Sequence, residues 1–390
     1  MSDHFDLVVV GGGIHGAGVA QAAACAGYTV LVLEQTALAA GTSSRSSKLI
    51  HGGLRYLESH AWGLVRESLH ERSVLLRIAP ELVRLQPFHI PVYPDTMRRP
   101  LTLRAGLSLY AMLGGWRRSS LYRTLPRRLW ETLDGLDTRG LQAVFRYFDA
   151  QTDDVALTRA VMQSAVRLGA TLACPAEFSA ARIDTHGCSI SYLQRGIDKH
   201  CTATVLVNAG GPWADRIDAR IEPQPSRIPI ELVQGAHLVV PGRLEHGCYY
   251  MEAPRDRRAI FLLPWGEHAL LGTTEHRYGG DPAAVCARAD EESYLLEVLA
   301  HYFPRRPATV MARFAGLRVL PAADGTAFGR SRETMLRMDD SRRPRLVSIY
   351  GGKLTGYRAT ATKVLRALQR TLPPRTARGD TAVLKLVPVS

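Results

Sequence analysis

Long apolar runs are missing from this sequence: none approaches the ~18 residues that a bilayer-crossing helix needs. No secretory leader is expected, because the N-terminus carries the acids Asp3 and Asp6 and enters its first strand by Phe5. Cysteine is scarce and scattered. Cys25, Cys174, Cys188, Cys201, Cys248 and Cys286 contain no CxxC pair, and no His/Cys cluster has ligand spacing. This argues against a disulfide framework and against a metal site, and the thiols read as reduced groups of a cytoplasmic protein. Internal repeats and low-complexity tracts are absent too. What remains is an ordinary globular balance, 390 residues with 46% hydrophobic and 22% charged side chains. That length suits two domains, either of which can be discontinuous.

Acids are the other shortage. The formal net charge is +13, and between Arg98 and Trp130 eight arginines stand without one Asp or Glu. Leu101, Leu103, Leu107, Leu109, Tyr110, Met112, Leu113 and Trp116 interleave with them. A basic, amphipathic, aromatic-bearing segment suits an anionic membrane interface, and a positive surface also suits an anionic substrate. The plainer reading is a surface helix with a solvated arginine face. No nucleic-acid motif accompanies the charge, so that partner is not expected.

The strongest positive signal is at the N-terminus. Leu7–Val10 is an apolar run typical of a buried parallel strand, broken by Gly11, Gly13 and Gly16, and followed by a small-residue helix from Val19 to Ala26. A second run, Tyr28–Leu33, ends on Glu34, 23 residues after Gly11. This is a βαβ dinucleotide fingerprint in full context. Gly11 permits the turn, and Gly13 lets backbone approach a pyrophosphate at the helix N-terminus. Gly16 allows helix–strand contact, and Glu34 supplies a ribose acceptor. The fingerprint does not distinguish FAD from NAD, since both present the same ADP half.

Further glycine-bearing stretches follow. Gly41-Thr-Ser-Ser-Arg-Ser-Ser-Lys48 is a long polar loop whose hydroxyls and amides suit a second phosphate or a flavin ring, with Lys48, His51 and Arg55 facing the chemistry. Helical spacing predicts helices over Ala61–Ala79 and Val155–Leu168, the latter capped by Asp153 or Asp154. Leu85–Pro94 reads as an edge strand because of its prolines. Ala170–Cys174, Ala180–Asp184, Ser189–Leu193 and Thr202–Val207 read as strands, the last ending in Asn208-Ala-Gly-Gly-Pro-Trp213. From Ile228 to Pro264 the pattern alternates, which predicts a largely antiparallel sheet with one covered face. Arg318, between apolar neighbours, asks for an anionic partner. Leu346–Tyr350 runs into Gly351-Gly-Lys-Leu-Thr355 and a helix, a second N-terminal dipole site.

Ser46-Ser-Lys-Leu-Ile-His-Gly-Gly-Leu-Arg-Tyr-Leu-Glu58, Val207-Asn-Ala-Gly-Gly-Pro-Trp213, Gly272-Thr-Thr274, Gly316-Leu-Arg-Val-Leu320 and Gly351-Gly-Lys-Leu-Thr355 together resemble the FAD-dependent glycerol-3-phosphate dehydrogenases of the D-amino-acid-oxidase superfamily. The resemblance covers about Phe5 to Gln369. It implies an α/β (α+β overall) fold, an FAD-binding Rossmann-like domain with a discontinuous, mainly antiparallel β substrate domain. The corresponding division is 1–85, 150–225 and 325–390 for the FAD-binding domain, 86–149 for a substrate-domain and basic insertion, and 226–324 for the antiparallel substrate domain. A further C-terminal helical domain, usual in the family, is not expected here.

The implied reaction is oxidation of sn-glycerol 3-phosphate to dihydroxyacetone phosphate, with electrons passing to quinone at the inner face of the cytoplasmic membrane. Implied substrate contacts are Arg55, Tyr56, Arg318, Arg332, Lys353 and Thr355, and implied catalytic groups are His237, Arg318, Lys353 and His51. His237 is favoured as base and His51 competes with it. Implied FAD contacts are Gly11, Gly13, Ile14, His15, Gly16, Glu34, Thr42, Ser43, Ser44, Ser47, Lys48, His51 and Gly52. Phe178, Ala209, Gly210, Gly211, Trp213, Gly352, Lys353, Leu354 and Thr355 complete that set. The sequence departs from the family at His15 (usually Asn), Gly210 (Thr), Val319 (Pro) and Gly356 (Thr). The departures near Arg318 and Lys353 leave room for another small phosphorylated or acidic substrate, an amino or hydroxy acid among them, and the expected lack of the C-terminal domain permits a flavin-binding partner protein without turnover.

Overall fold

The computed structural model describes residues 3–226, 228–322 and 333–389. Among these are seven α-helices: α1 (Ile14–Cys25), α2 (Trp62–Ile78), α3 (Pro100–Leu113), α4 (Asp154–Arg167), α5 (Ala214–Asp218), α6 (Ala289–Tyr302) and α7 (Tyr357–Leu368). The Asp153 side chain caps α4 by accepting from the Ala156 N–H, as the sequence predicts, while Asp154 is used elsewhere. Pro100 opens α3, and three acids in the first turn of α6 suit its positive end.

The first apolar run forms the strand Asp3–Val10, which pairs in parallel with Val30–Leu33 on one side and Ile197–Asn208 on the other. Helices α1, α4 and α7 pack together over one face of this sheet. Cover of this kind is why these strands read as unbroken apolar runs. Ile197–Asn208 is longer than the sequence pattern predicts because, besides the first strand, it serves two further neighbours on its other edge. Its first half pairs antiparallel with Cys188–Gln194, and its end pairs in parallel with Leu346–Tyr350. The glycine turns after residues 10, 208 and 350 therefore emerge at one carboxyl edge, where ligands bind in open α/β sheets.

The second sheet is mainly antiparallel. Its long strand Ile230–Pro241 pairs from Ile230 to Val239 with Ala312–Pro321 and, on its other side, with His268–Gly272 and His276–Tyr278. Two expectations are corrected. Val233–Val240 is buried throughout rather than on one face, since Leu238 and Val240 pack with Leu295 and Leu299 of α6, while Val239 packs with Leu263 and Leu270. The expected edge strand is interior. Val83–Val92 pairs with Ala143–Thr152 along its whole length and with Cys248–Glu252 in parallel at Phe88 and His89, leaving Pro87 and Pro91 outside that short ladder.

Candidate active site

A cleft of about 720 Å³ lies between the two sheets at the glycine-bearing edge. At one end, Gly11 has φ +113°, and a Cβ there would lie 2.6 Å from the Ala209 carbonyl oxygen, so only glycine brings these two turns together. Gly16 makes the helix–strand contact assigned to it, because a Cβ would meet the Gly11 carbonyl. Ser43 Oγ accepts from the Ile14 N–H at 2.9 Å, and Glu34 Oε2 accepts from the Gly12 N–H at 2.7 Å. The other Glu34 oxygen accepts from the Thr36 N–H at 2.9 Å. Glu34 thus fixes the glycine turn as well as facing the cleft. A Cβ at Gly13 would approach Ser43 Oγ to 3.1 Å, filling backbone space at the start of α1. These features fit an ADP phosphate and ribose.

Ile14, His15, Phe178, Ala209, Gly210, Gly211 and Trp213 line the same wall. Asn208 shapes that turn: its Oδ1 accepts from the Gly210 N–H, and its Nδ2 donates to the Ala214 carbonyl and to Asp218. His15 packs against Gly352, and its Nδ1 is buried with no hydrogen-bond partner among the described residues. Enclosure lowers its pKa to about 4, so the ring is neutral at pH 7.

The Ser-rich loop divides its labour. Thr42 donates to the Leu317 carbonyl at 2.7 Å, linking the loop to the second sheet, and Ser47 Oγ bonds His237 Nε2 at 2.9 Å. Ser44, Lys48 and Gly52 do not line the cleft, contrary to expectation. Ser44 Oγ turns back to the Gly41 carbonyl, and the Gly52 N–H donates to the Tyr110 hydroxyl at 3.0 Å. Lys48, 5% exposed, donates from Nζ to Asp154 at 2.5 Å and to the Ser44 carbonyl at 2.6 Å. Its charge is neutralised inside the protein and does not face the chemistry.

The opposite end of the cleft gathers cations. The turn Leu54–Leu57 follows Gly53 (φ +76°) and presents Arg55 and Tyr56. Lys353 Nζ stands 3.7 Å from the Tyr56 ring centroid and the Arg55 guanidinium 5.3 Å from the same ring. Lys353 is delivered by Gly351 and Gly352, both at positive φ, and Leu354 lies beside it on the cleft wall. Thr355 Oγ1 accepts from the His51 N–H at 3.1 Å, holding that histidine at the cleft. Arg318 donates to Thr273 Oγ1 at 3.3 Å and lies 3.6 Å from Glu275, so part of the anionic partner it asks for is internal. Arg332 lies outside the described residues.

His237 is 2% exposed and stacks on Phe314 with centroids 5.0 Å apart. Burial first, then the Arg318 and Lys48 charges, lower its pKa to about 3. Glu275 and Asp154 join the site without a sequence motif that marks them. Their signals were an acid directly after Gly272-Thr-Thr274 and a second acid beside a helix cap, each ambiguous without tertiary contacts. No group of His, Cys, Asp and Glu among the described residues is placed to hold a metal ion.

Residues 6–358 match the family described as FAD dependent oxidoreductase. The chain is 38% identical over 377 residues to a glycerol-3-phosphate dehydrogenase of Pseudomonas aeruginosa, covering 95% of this chain and 72% of that one. It is 36% identical over 378 residues to the D-erythritol 1-phosphate dehydrogenase of Brucella abortus, covering 94% and 74%. Among solved structures it resembles the glycerol-3-phosphate dehydrogenase from Bacillus halodurans complexed with FAD, with a TM-score of 0.74, 27% identity and coverage of 98% and 68%.

Proposed function

The chain belongs to the FAD dependent oxidoreductase family, among the glycerol-3-phosphate dehydrogenases and their relatives, and from that premise we propose that it oxidises sn-glycerol 3-phosphate to dihydroxyacetone phosphate and passes the electrons to quinone. The observation that carries this reading is the convergence of Arg55, Arg318 and Lys353 on one cleft whose far end is built for an ADP moiety. A carboxylate substrate needs one arginine, whereas a phosphate dianion rewards several cations.

When bound, FAD supplies the hydride acceptor. Gly11, Gly13, Ile14, Ser43, Glu34 and the Asn208 turn would hold its ADP half, and Ser47, Gly352 and Leu354 the rest. Arg55 and Lys353 bind the substrate phosphate, with Tyr56 setting the spacing between them. Arg318 polarises the oxygen that becomes the ketone. His237 accepts the hydroxyl proton, its ring held in place by the Ser47 hydrogen bond and the Phe314 stack. A dianionic substrate near Arg318 offsets part of the cationic repulsion that depresses His237, raising its basicity when a proton is to be taken. His51 is the alternative acceptor, held by Thr355.

The similarity to a D-erythritol 1-phosphate dehydrogenase supports a second reading, a longer polyol phosphate on the same cations. Steady-state kcat/KM for the two substrates, each with a soluble quinone and with oxygen as acceptor, tests both choices. A glycerol 3-phosphate preference with quinone agrees with the proposal, and a D-erythritol 1-phosphate preference replaces it.

We also propose peripheral contact with the inner face of the cytoplasmic membrane through the 98–130 segment. Met97, Leu101, Met112 and Trp116 are more than half exposed, beside exposed Arg99, Arg104, Arg117 and Arg118. Arg98 is the exception, buried and paired with Glu58 and Glu252. No described helix is long and apolar enough to cross a membrane.

A further inference from the structure

We infer that Tyr110, which does not line the cleft, is a positioning residue for Arg55, acting through a buried hydrogen-bond relay to the Gly52 N–H. The inference rests on the reading of Arg55 as a phosphate ligand.

Tyr110 projects from the inner face of α3 and is fully buried. Its hydroxyl donates to Asp149, lying 2.8 and 2.9 Å from the two carboxylate oxygens, and accepts from the Gly52 N–H at 3.0 Å. That N–H also lies 3.3 Å from Asp149 Oδ1. Asp149 is in turn paired with Arg72, which is fully buried and donates to the Phe148 and Ser119 carbonyls at 2.8 Å and to Ser120 Oγ at 3.0 Å. The fit at Gly52 is close, because a Cβ there would lie 2.4 Å from the Tyr110 hydroxyl.

The next residue, Gly53, turns the chain at φ +76° into the turn that carries Arg55 and Tyr56. Tyr56 packs in one cluster with Leu103, Leu107 and Tyr110. The start of the substrate turn is thereby fixed in direction by the relay and in depth by this packing.

A buried ion pair is poor support for stability, since desolvation offsets the attraction and an apolar core serves as well. What the polar relay adds is directional: it specifies where one backbone N–H points, three residues before the guanidinium that holds the phosphate. A small rotation there is magnified along the arginine side chain, and misplacement of about 1 Å in a binding group costs affinity and rate far beyond the energy of the bond that held it.

Tyr110→Phe removes the hydroxyl and keeps the ring. The test compares wild type, Tyr110→Phe, Arg55→Ala and the double variant as flavin-loaded proteins, with two readouts. One is the equilibrium affinity for dihydroxyacetone phosphate by calorimetry on the oxidised protein, and the other is the split between KM and kcat for glycerol 3-phosphate. Tyr110→Phe is expected to weaken both affinity and KM by roughly 5–10-fold, with flavin content unchanged and kcat within about twofold. In the Arg55→Ala background the same substitution is expected to change neither.

An undiminished Tyr110→Phe effect in the double variant overturns the relay. So does unaltered affinity in the single variant when Arg55→Ala has weakened it. Unaltered affinity in Arg55→Ala overturns the phosphate reading, and the relay with it. Leu299→Ala, a cavity in the separate core beneath α6, is the control: it should lower thermal stability and leave affinity alone, and an equal loss of affinity there contradicts a directed relay. If Tyr110→Phe does not fold, the paired replacement Arg72→Met with Asp149→Leu, which removes the relay's anchor without leaving a buried charge unpaired, carries the test: weakened affinity is expected, and unaltered affinity overturns the relay.

Discussion

Arg318 divides its guanidinium between the Thr273 hydroxyl, the Thr274 carbonyl and Glu275, and still reaches the cleft wall. Its removal should therefore affect chemistry more than cofactor retention. Arg318→Ala is expected to lower kcat/KM by on the order of 10²-fold, the scale of one lost transition-state donor, while bound flavin per chain stays at the wild-type value. Equal losses of both would assign Arg318 to cofactor binding. For His237 the sign follows from burial: with a pKa of about 3 in the free protein, the ring is already neutral throughout the neutral range. The kcat/KM profile should show no acid limb from this histidine near pH 6.5, and His237→Gln should lower kcat by on the order of 10²-fold at pH 7. An acid limb near 6.5 that disappears in His51→Gln but persists in His237→Gln would transfer the base role to His51.

At the scale of elements, the Ser-rich loop is pinned to the N-terminus of α4 by one acid. Asp154 accepts from Lys48 Nζ, from the Ser46 N–H and hydroxyl, and from the Val155 N–H. Asp154→Ala would leave the Lys48 ammonium buried and unpaired beside Trp265 and Phe314. A loss of about 3–5 kcal/mol in unfolding free energy is expected, checked by denaturant titration, and a loss below about 1 kcal/mol would contradict a buried pair. The first βαβ unit and its glycines were legible in the sequence because strand, glycine turn, helix and second strand follow one another within about thirty residues, each with a periodic or turn signature, although Gly11 also meets the distant Ala209. The Asp154–Lys48 pair spans 106 residues, and the Thr42–Leu317 bond spans 275. Neither leaves a local pattern, which is why Lys48 read as a cleft cation and Asp154 as a cap. Pro87 and Pro91 misled for a related reason, since prolines exclude a strand from the interior only where a long ladder needs their missing N–H.

Across the whole molecule, the two buried imidazoles, His89 and His237, and the cleft-wall His15 have pKa values lowered by desolvation to about 4, about 3 and about 4. Their unfolded values lie near 6.5, so unfolding takes up protons as pH falls below that value. The stability they contribute is complete above about pH 6.5 and is lost as pH falls through the window toward 4. Tm should fall between pH 7 and pH 5, and His89→Gln, remote from the cleft, should flatten that slope; a Tm independent of pH across this range contradicts the assignment. The charge of +13 belongs to the same scale. Co-sedimentation with anionic phosphatidylglycerol vesicles should fall as salt rises and should weaken in Leu101→Asp, and binding unaffected by either change would remove the 98–130 segment as the contact. The central claim, that a flavin at this cleft oxidises a phosphorylated polyol, is tested most directly by anaerobic titration of the purified yellow protein. Glycerol 3-phosphate should bleach the flavin absorbance stoichiometrically while glycerol leaves it unchanged; a colourless protein, or a flavin bleached only by amino acids, contradicts the account.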